Sequence, residues 1–402
     1  MGVIGGIWFA TGLLLGPAAM AAPRQTLVVE RAVLVMRHGI RAPLDGEVPK
    51  GTRTGAPWPA WPVAESRITP HGIRAIERVA AHDRRLLASR GLLAANGCPG
   101  GAVRIRSNSS DRTIASGEAY AAGFAPGCPL EVAHLPLGIA DPIFEPLRAQ
   151  ATAFDPAAAI VSINRETGGM AALVRRHRAA LALLDRVLDC PSSSGGCLST
   201  GAPSISASPD GHDLVLAGPI RAASGIAQVL LLQEVEGLPR ASVGWGRTDP
   251  ATVQRLGALH AALFAVYTRP SYMAAHQAAV LGREVVAALS SEGPRLTVFM
   301  GHDTNVTALA AALRVDLKAP GYATNDVPPA GALLLERVRD VRSGKRFVRV
   351  SYRTQSPETL RTLGRTVSLQ VLTIPGCAGR SCSAAAFSRM LTSHLAPLSP
   401  VR

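Results

Sequence analysis

The chain has 402 residues, 47% of them hydrophobic and 17% charged, which excludes a disordered polypeptide and provides a core for one large domain or two. Its net charge of +14 is carried almost wholly by arginine, without a long Lys/Arg block. That balance favours anionic partners, while the lack of interleaved basic and aromatic residues argues against a nucleic-acid-binding surface.

Residues 1–21 carry no charged side chain. An apolar run around Ile7 to Leu15, too short and glycine-broken to span a bilayer, leads to Ala19-Met20-Ala21, a small-x-small cleavage pattern. The expectation is a secretory signal peptide cut before Ala22. Its amino-terminal part lacks Lys and Arg, and an uncleaved anchor is the alternative. No later stretch is long and apolar enough to cross a membrane.

Further along, Val33 to Met36 is an apolar strand that ends in Arg37-His38-Gly39, with Arg41 close behind. Pro57 to Pro62 (PWPAWP) reads as a rigid loop, and Thr69-Pro70 opens a helix with proline at its first position. The alternating AVRIR of Ala102 to Arg106 ends in SNSSDRT, followed by the helical TIASGEAYAAGF. Residues near 155 to 240 are mostly helical in pattern, split by a Ser/Gly-rich loop around Cys190. Leu296 to Met300 (LTVFM) then ends in GHDTN and runs into the helical VTALAAAL. The tail after Ser351 is mixed. Strand, polar turn and helix start thus recur three times, with Ser110 and Thr304 as candidate helix caps. In an α/β sheet, ligands collect at the carboxyl ends of strands, so these three turns are expected to meet on one edge.

Six cysteines remain: Cys98, Cys128, Cys190, Cys197, Cys377 and Cys382. Six allow 15 pairings, and sequence alone does not choose among them. Cys190 with Cys197 and Cys377 with Cys382 would close short Gly/Ser-containing loops, leaving Cys98 with Cys128. No Cys-x-x-Cys or Cys/His spacing supports a zinc site.

The chemistry concentrates at His38. His82, His134, His177, His212, His260, His276 and His394 read as structural, whereas His38 sits between two guanidiniums whose forks suit phosphate oxygens. Two nearby cations should keep the imidazole neutral and nucleophilic, fit to attack phosphorus and hold the product on nitrogen. Arg112 is a candidate third clamp for the transferring group. His302-Asp303 supplies a carboxylic acid beside a second histidine, suited to protonating a leaving alkoxide.

RHGIRAP, the DRT-xxx-GEAYAAG segment and GHDTN together resemble the histidine acid phosphatases. WPAWPV, RGLLAANGCP, the VGWGR turn at Val243 to Arg247 and PPAGALLLER are similar to their bacterial periplasmic phytases and glucose-1-phosphatases, and the likeness covers nearly the whole mature chain. The resemblance implies an α/β fold: a phosphoglycerate-mutase-like three-layer α/β/α core, residues 22–153 and 260–402, with a smaller helical domain at 154–259. It implies a phosphohistidine on His38, phosphate binding by Arg37, Arg41, Arg112 and His302, proton donation by Asp303, and no metal or other cofactor. Arg269, in YTRP, aligns with a substrate-contacting arginine of the phytases. The cysteines match three family bridges, Cys98–Cys128, Cys190–Cys197 and Cys377–Cys382, while a fourth has no partners here.

Some positions depart from the phytase pattern. Leu44-Asp45 stands where RHGxRAP is followed by Thr-Lys, which puts an anion in place of a cation at the pocket mouth. Asn108 and Gln228 stand where the phytases carry an aspartate and a glutamate. Thr304 in HDTN is phytase-like. The expectation is an exported monomeric acid phosphatase acting on a small phosphate ester, phytate or a sugar phosphate, with no nucleic-acid partner and no stable membrane association after cleavage. Competing readings are a phosphate-ester-binding protein that has lost catalysis, a nucleic-acid binder suggested by charge alone, and a phosphomutase.

Overall fold

The computed structural model describes residues 1–3, 27–190, 196–198, 200–377 and 379–399. The expected signal peptide, apart from its first three positions, lies outside the described residues.

In chain order the elements begin with β1 (Leu27–Arg37), α1 (Pro70–Ser89), β2 (Val103–Ser107), α2 (Asp111–Phe124) and β3 (Val132–Ala133). Next come α3 (Pro156–Thr167), α4 (Met170–Arg176), α5 (Arg178–Leu188), β4 (Ser204–Ala207), β5 (Leu214–Ala217), α6 (Pro219–Glu236) and α7 (Pro250–Tyr267). They are followed by α8 (Ser271–Gln277), α9 (Ala279–Ser290), β6 (Leu296–Gly301), α10 (Asp303–Ala312), β7 (Ala332–Asp340) and β8 (Arg346–Thr354). The chain closes with α11 (Pro357–Arg361), β9 (Ser368–Leu372), β10 (Cys382–Ser383) and α12 (Ala384–Ser393).

Eight strands form the central sheet in the order β10-β8-β7-β1-β6-β2-β3, with β9 also paired to β8. Because side chains alternate along a strand, β1 serves two cores. Ala32, Leu34 and Met36 face α1 and α2, packing on Ile76, Val79, Tyr120 and Phe124. Val33 and Val35 face the other layer, with Leu281 and Val285 of α9, Leu309 of α10 and Phe387 of α12. Helices therefore cover both sheet faces, and each fully buried side chain of this kind contributes roughly 1.5–3 kcal/mol. A third apolar cluster joins α3, α5, α6 and α7 through Ile163, Leu184, Ile226, Leu230 and Leu259.

The three polar turns meet because β1, β6 and β2 are parallel neighbours. Register brings Arg37 beside Gly301 and Ser107 beside Met300. Backbone bonds lace the turns directly, His38 N–H to Gly301 O at 2.9 Å and Asn108 N–H to Met300 O at 3.0 Å.

Several local expectations hold. Thr69 caps α1, its Oγ1 accepting from Gly72 N–H at 2.9 Å, with Pro70 at the first turn. All three expected cysteine pairs are bonded, with Cα–Cα distances of 5.3, 5.5 and 4.9 Å. Others are corrected. Ser110 occupies the cap position of α2, but its hydroxyl meets Thr113 Oγ1 at 2.8 Å instead of a backbone amide. His302, not Thr304, precedes α10 as its cap residue, because Asn305 Oδ1 already accepts the His302 N–H at 2.8 Å and Thr304 lies inside the helix. The helical middle contains a two-stranded antiparallel sheet, β4 with β5, whose short alternating SISA and LVLA segments the helical pattern around them obscured.

Candidate active site

Arg37 ends β1 with no exposed side-chain surface. Its Nη1 donates to Val327 O and its Nη2 lies 3.1 Å from Asp303 Oδ2. The VPPAG loop at 327–331 anchors this turn: Gly331 O accepts from Arg37 N–H at 2.9 Å, and Ala330 N–H donates to His38 O at 3.0 Å. Ala330 adopts a positive φ of 59°, unusual for a residue with a Cβ, and buried Arg353 holds it through a 2.7 Å bond from Nη1 to Ala330 O. Behind the turn, Gly72 of α1 permits close packing, since a Cβ there would fall 2.2 Å from Ile40 O.

His38 is 3% exposed, and its Nδ1 lies 2.8 Å from Gly39 O. A carbonyl can only accept, so Nδ1 carries the proton and Nε2 keeps a free lone pair. Burial, then the charges of Arg112, Arg37 and Arg41, hold this imidazole well below the ordinary histidine range. His302 stands edge-on to it, ring centroids 5.6 Å apart.

His302 has a fixed tautomer as well. Asn108 Oδ1 accepts from Ser109 N–H at 2.7 Å, which leaves its amide nitrogen as donor to His302 Nε2, also at 2.7 Å. Arg112 Nη2, also a donor, approaches Nδ1 only to 3.5 Å, so the 2.7 Å bond decides: a neutral His302 accepts at Nε2, carries its proton on Nδ1 and makes no hydrogen bond with Arg112. Burial and Arg112 push its pKa down to about 3. Arg112 itself is lowered to about 10, by burial and then by the like charge of Arg41.

Asp303 opens α10, with Oδ1 accepting from Thr304 N–H at 2.8 Å. Burial alone would raise its pKa, but Arg37 and then His260 overcome that and bring it to about 2. His260 is a site residue that sequence reasoning placed among structural histidines. Its Nδ1 meets Asp326 Oδ1 at 2.8 Å and its Nε2 lies 3.8 Å from Asp303 Oδ2. No flanking motif marks it. Glu47 was missed too: its carboxylate takes both Arg41 nitrogens, Nη2 to Oε1 at 2.8 Å and Nη1 to Oε2 at 2.7 Å.

Around His38 the structure thus gathers Arg37, Arg41, Arg112, His302 and Asp303. Buried guanidinium nitrogens there lack hydrogen-bond partners: Arg37 Nε, Arg41 Nε and Arg112 Nε, with Arg37 Nη2 held only by its ion pair to Asp303. Arg269 is not among them. It pairs with Asp316 at 2.7 Å and with Val315 O past the far end of α10, about 15 Å along the helix axis from Asp303. Among the described residues no group of His, Cys, Asp and Glu could hold a metal ion.

The profile of the histidine phosphatase superfamily (branch 2) matches residues 28–142 and 258–353. The chain belongs to that family. It is 31% identical to phytase AppA of Escherichia coli over 94% of this chain and 95% of that one. It is 26% identical to the glucose-1-phosphatase of Salmonella typhimurium over 87% of each. The solved Hafnia alvei phytase in complex with tartrate superposes with a TM-score of 0.87 at 30% identity, covering 94% of this chain and 100% of that one. As a histidine acid phosphatase the chain is an enzyme of phosphate-ester hydrolysis. Among the described residues no helix is long and apolar enough to cross a membrane.

Proposed function

We propose that the chain is an exported acid phosphomonoesterase working through a phosphohistidine on His38, with Asp303 as proton donor. The observation that carries this is the His38 ring itself, with Nδ1 committed to Gly39 O and Nε2 free among guanidinium N–H groups that lack partners. Nε2 attacks phosphorus and the ester P–O bond breaks. The departing alkoxide takes the proton from Asp303. Water then attacks phosphorus as Asp303 takes its proton, the P–N bond breaks with its electron pair returning to Nε2, and phosphate leaves with His38 neutral again. Arg37, Arg41, Arg112 and the His302 Nδ1–H serve the three non-bridging oxygens, where each charge-assisted bond contributes about 1.5–3 kcal/mol.

An Asp303 at about pKa 2 holds no proton in the empty site at mildly acid pH. The proton comes in with the ester, whose monoanion has a second pKa of about 6, and the phosphoryl charge then favours its transfer to the carboxylate. kcat/KM should therefore fall above about pH 6, and substrates with a lower second pKa should move that limb down. Asp303→Asn should slow alkyl phosphates far more than nitrophenyl phosphate, whose leaving group needs no proton. Equal losses on both would remove Asp303 from the role of acid.

The reading includes a helical domain at 154–259 set against a core of 22–153 and 260–402, a division supported by the break in the family match between 142 and 258. Three cysteine pairs support export to an oxidising compartment, with residues 1–21 as the signal. A soluble monomer acting on small esters completes it.

A further inference from the structure

The sequence motif accounts for Arg41 but not for the carboxylate that occupies it. Glu47 lies six residues on, its side chain 8% exposed and that of Arg41 4%. Besides its two bonds to Arg41, Glu47 Oε2 accepts from Leu44 N–H at 2.8 Å. Burial would raise this carboxyl, but the Arg41 bonds and the Leu44 amide outweigh it and hold the group below the usual carboxylate range, so it is an anion. The segment is pinned from the other side by α6. A Cβ at Gly225 would lie 2.0 Å from Glu47 O, so only glycine admits the loop there. On either side of Gly225, Ser224 Oγ and both amide atoms of Gln228 are buried without partners.

We infer that Glu47 is a resident counter-charge that stays on the Arg41 fork through turnover and, with Ala42 O on the other Nη1–H, leaves Arg41 only Nε–H and the second Nη2–H for the phosphoryl group. It thereby selects monophosphate esters with an uncharged leaving group over polyphosphorylated ones. This rests on the phosphatase reading and names its substrate class. Arg41 without Glu47 would keep one Nη1–H on Ala42 O and offer four N–H donors and a full positive charge. With it, the pair is neutral and the guanidinium is held in one orientation. A lone phosphate still meets Arg37 and Arg112, whereas the further phosphates of a polyanion find fixed negative charge instead of a spare cation. The outer side of the same loop carries no compensation. There Leu44, Trp58 and Trp61 line a cavity of about 530 Å³ whose charged groups are Asp45, Glu65 and Lys50, an excess of one negative charge.

The test is calorimetric titration of wild type and Glu47→Gln with inorganic phosphate and with myo-inositol hexasulfate, beside kcat/KM for phytate and an aryl monophosphate. Glu47→Gln should gain about tenfold or more in hexasulfate affinity and several-fold less than that in phosphate affinity, because a lone phosphate already finds Arg37 and Arg112. The phytate-to-aryl ratio of kcat/KM should rise with it, through KM. Equal gains for both probes, or none for the hexasulfate, would overturn the inference. Should the variant fail to fold, wild type alone decides: a hexasulfate preference below about a hundredfold over phosphate supports it, and a larger one overturns it. Because binding is read without turnover, failure to hydrolyse any ester would sink the phosphatase reading and leave this inference to the two probes.

Discussion

The two ends of β1 are both rich in arginine, yet only one is built to bind. At the amino-terminal end Glu30 takes Arg337, Arg339 and Arg346, and Glu292 reaches Arg31. At the carboxyl end Arg37, Arg41 and Arg112 face Asp303 and Glu47. The excess of cations is larger at the amino-terminal end, four arginines to two carboxylates against three to two. What differs is how the N–H donors are met. Arg339 and Arg346 are 36% and 52% exposed, so water reaches the N–H groups that Glu30 does not take, whereas Arg31 and Arg337 are buried at 11% and 10% and Arg337 Nε lacks a hydrogen-bond partner. Arg37 and Arg41 are buried at 0% and 4%, where an unpaired donor is costly unless a ligand supplies the acceptor. Four buried guanidinium nitrogens without hydrogen-bond partners at the carboxyl end, against Arg337 Nε alone among these arginines at the other, distinguish the site better than the count of charges.

The sharpest way to break this contrast is to delete one arginine from each end. Arg112→Ala should lower kcat/KM about a hundredfold, the loss of one or two charge-assisted bonds, while Arg346→Ala stays within about twofold. Comparable losses at both ends would erase the distinction.

A smaller effect tests why the site keeps neutral imidazoles. Asn108→Asp places an anion 2.7 Å from His302 Nε2, which favours the imidazolium and raises a pKa now at about 3. The acid limb of the pH–rate profile should move up by about one unit, and the His302 ring titration with it. An unchanged profile would contradict the proposed tautomer control.

The smallest effect concerns stability. Glu236, at the carboxyl end of α6, accepts from Thr69 Oγ1 at 2.6 Å, and burial pushes its pKa up from 4.5 to about 7. The unfolded carboxyl ionises near 4.5 while the folded one keeps its proton. Its stabilising contribution is thus fully present below pH 4.5 and lost as pH rises through about 7. Glu236→Gln should flatten that slope in denaturant melts across this window. An equally steep slope in the variant would assign the dependence to other groups.

Much of this was legible in the sequence. RHGIR, SNSSDRT and GHDTN each end an apolar strand pattern, and strand ends are where an α/β sheet presents its ligand groups, so their convergence follows from the fold type. The parts that escaped depend on spatial neighbours. Nothing beside Glu47 marks it as the occupant of Arg41, because the loop returns only under the constraint of Gly225 on a helix far along the chain. His260 lacks any motif, and only packing of α7 against α10 brings it to Asp303. Asn108 was visible as a lost charge, but its hold on His302 Nε2 was not. Arg269 aligned with a contact residue, yet α10 separates it from the site and Asp316 engages it.

The central claim is that His38 Nε2 carries the phosphoryl group. Rapid acid-free quenching of wild type during turnover of a phosphorus-labelled ester should trap one acid-labile, base-stable label per chain. Peptide mapping should place it on His38, and His38→Ala should neither trap label nor turn over. Label on another residue, or turnover by a folded His38→Ala variant at near wild-type rate, would contradict the account.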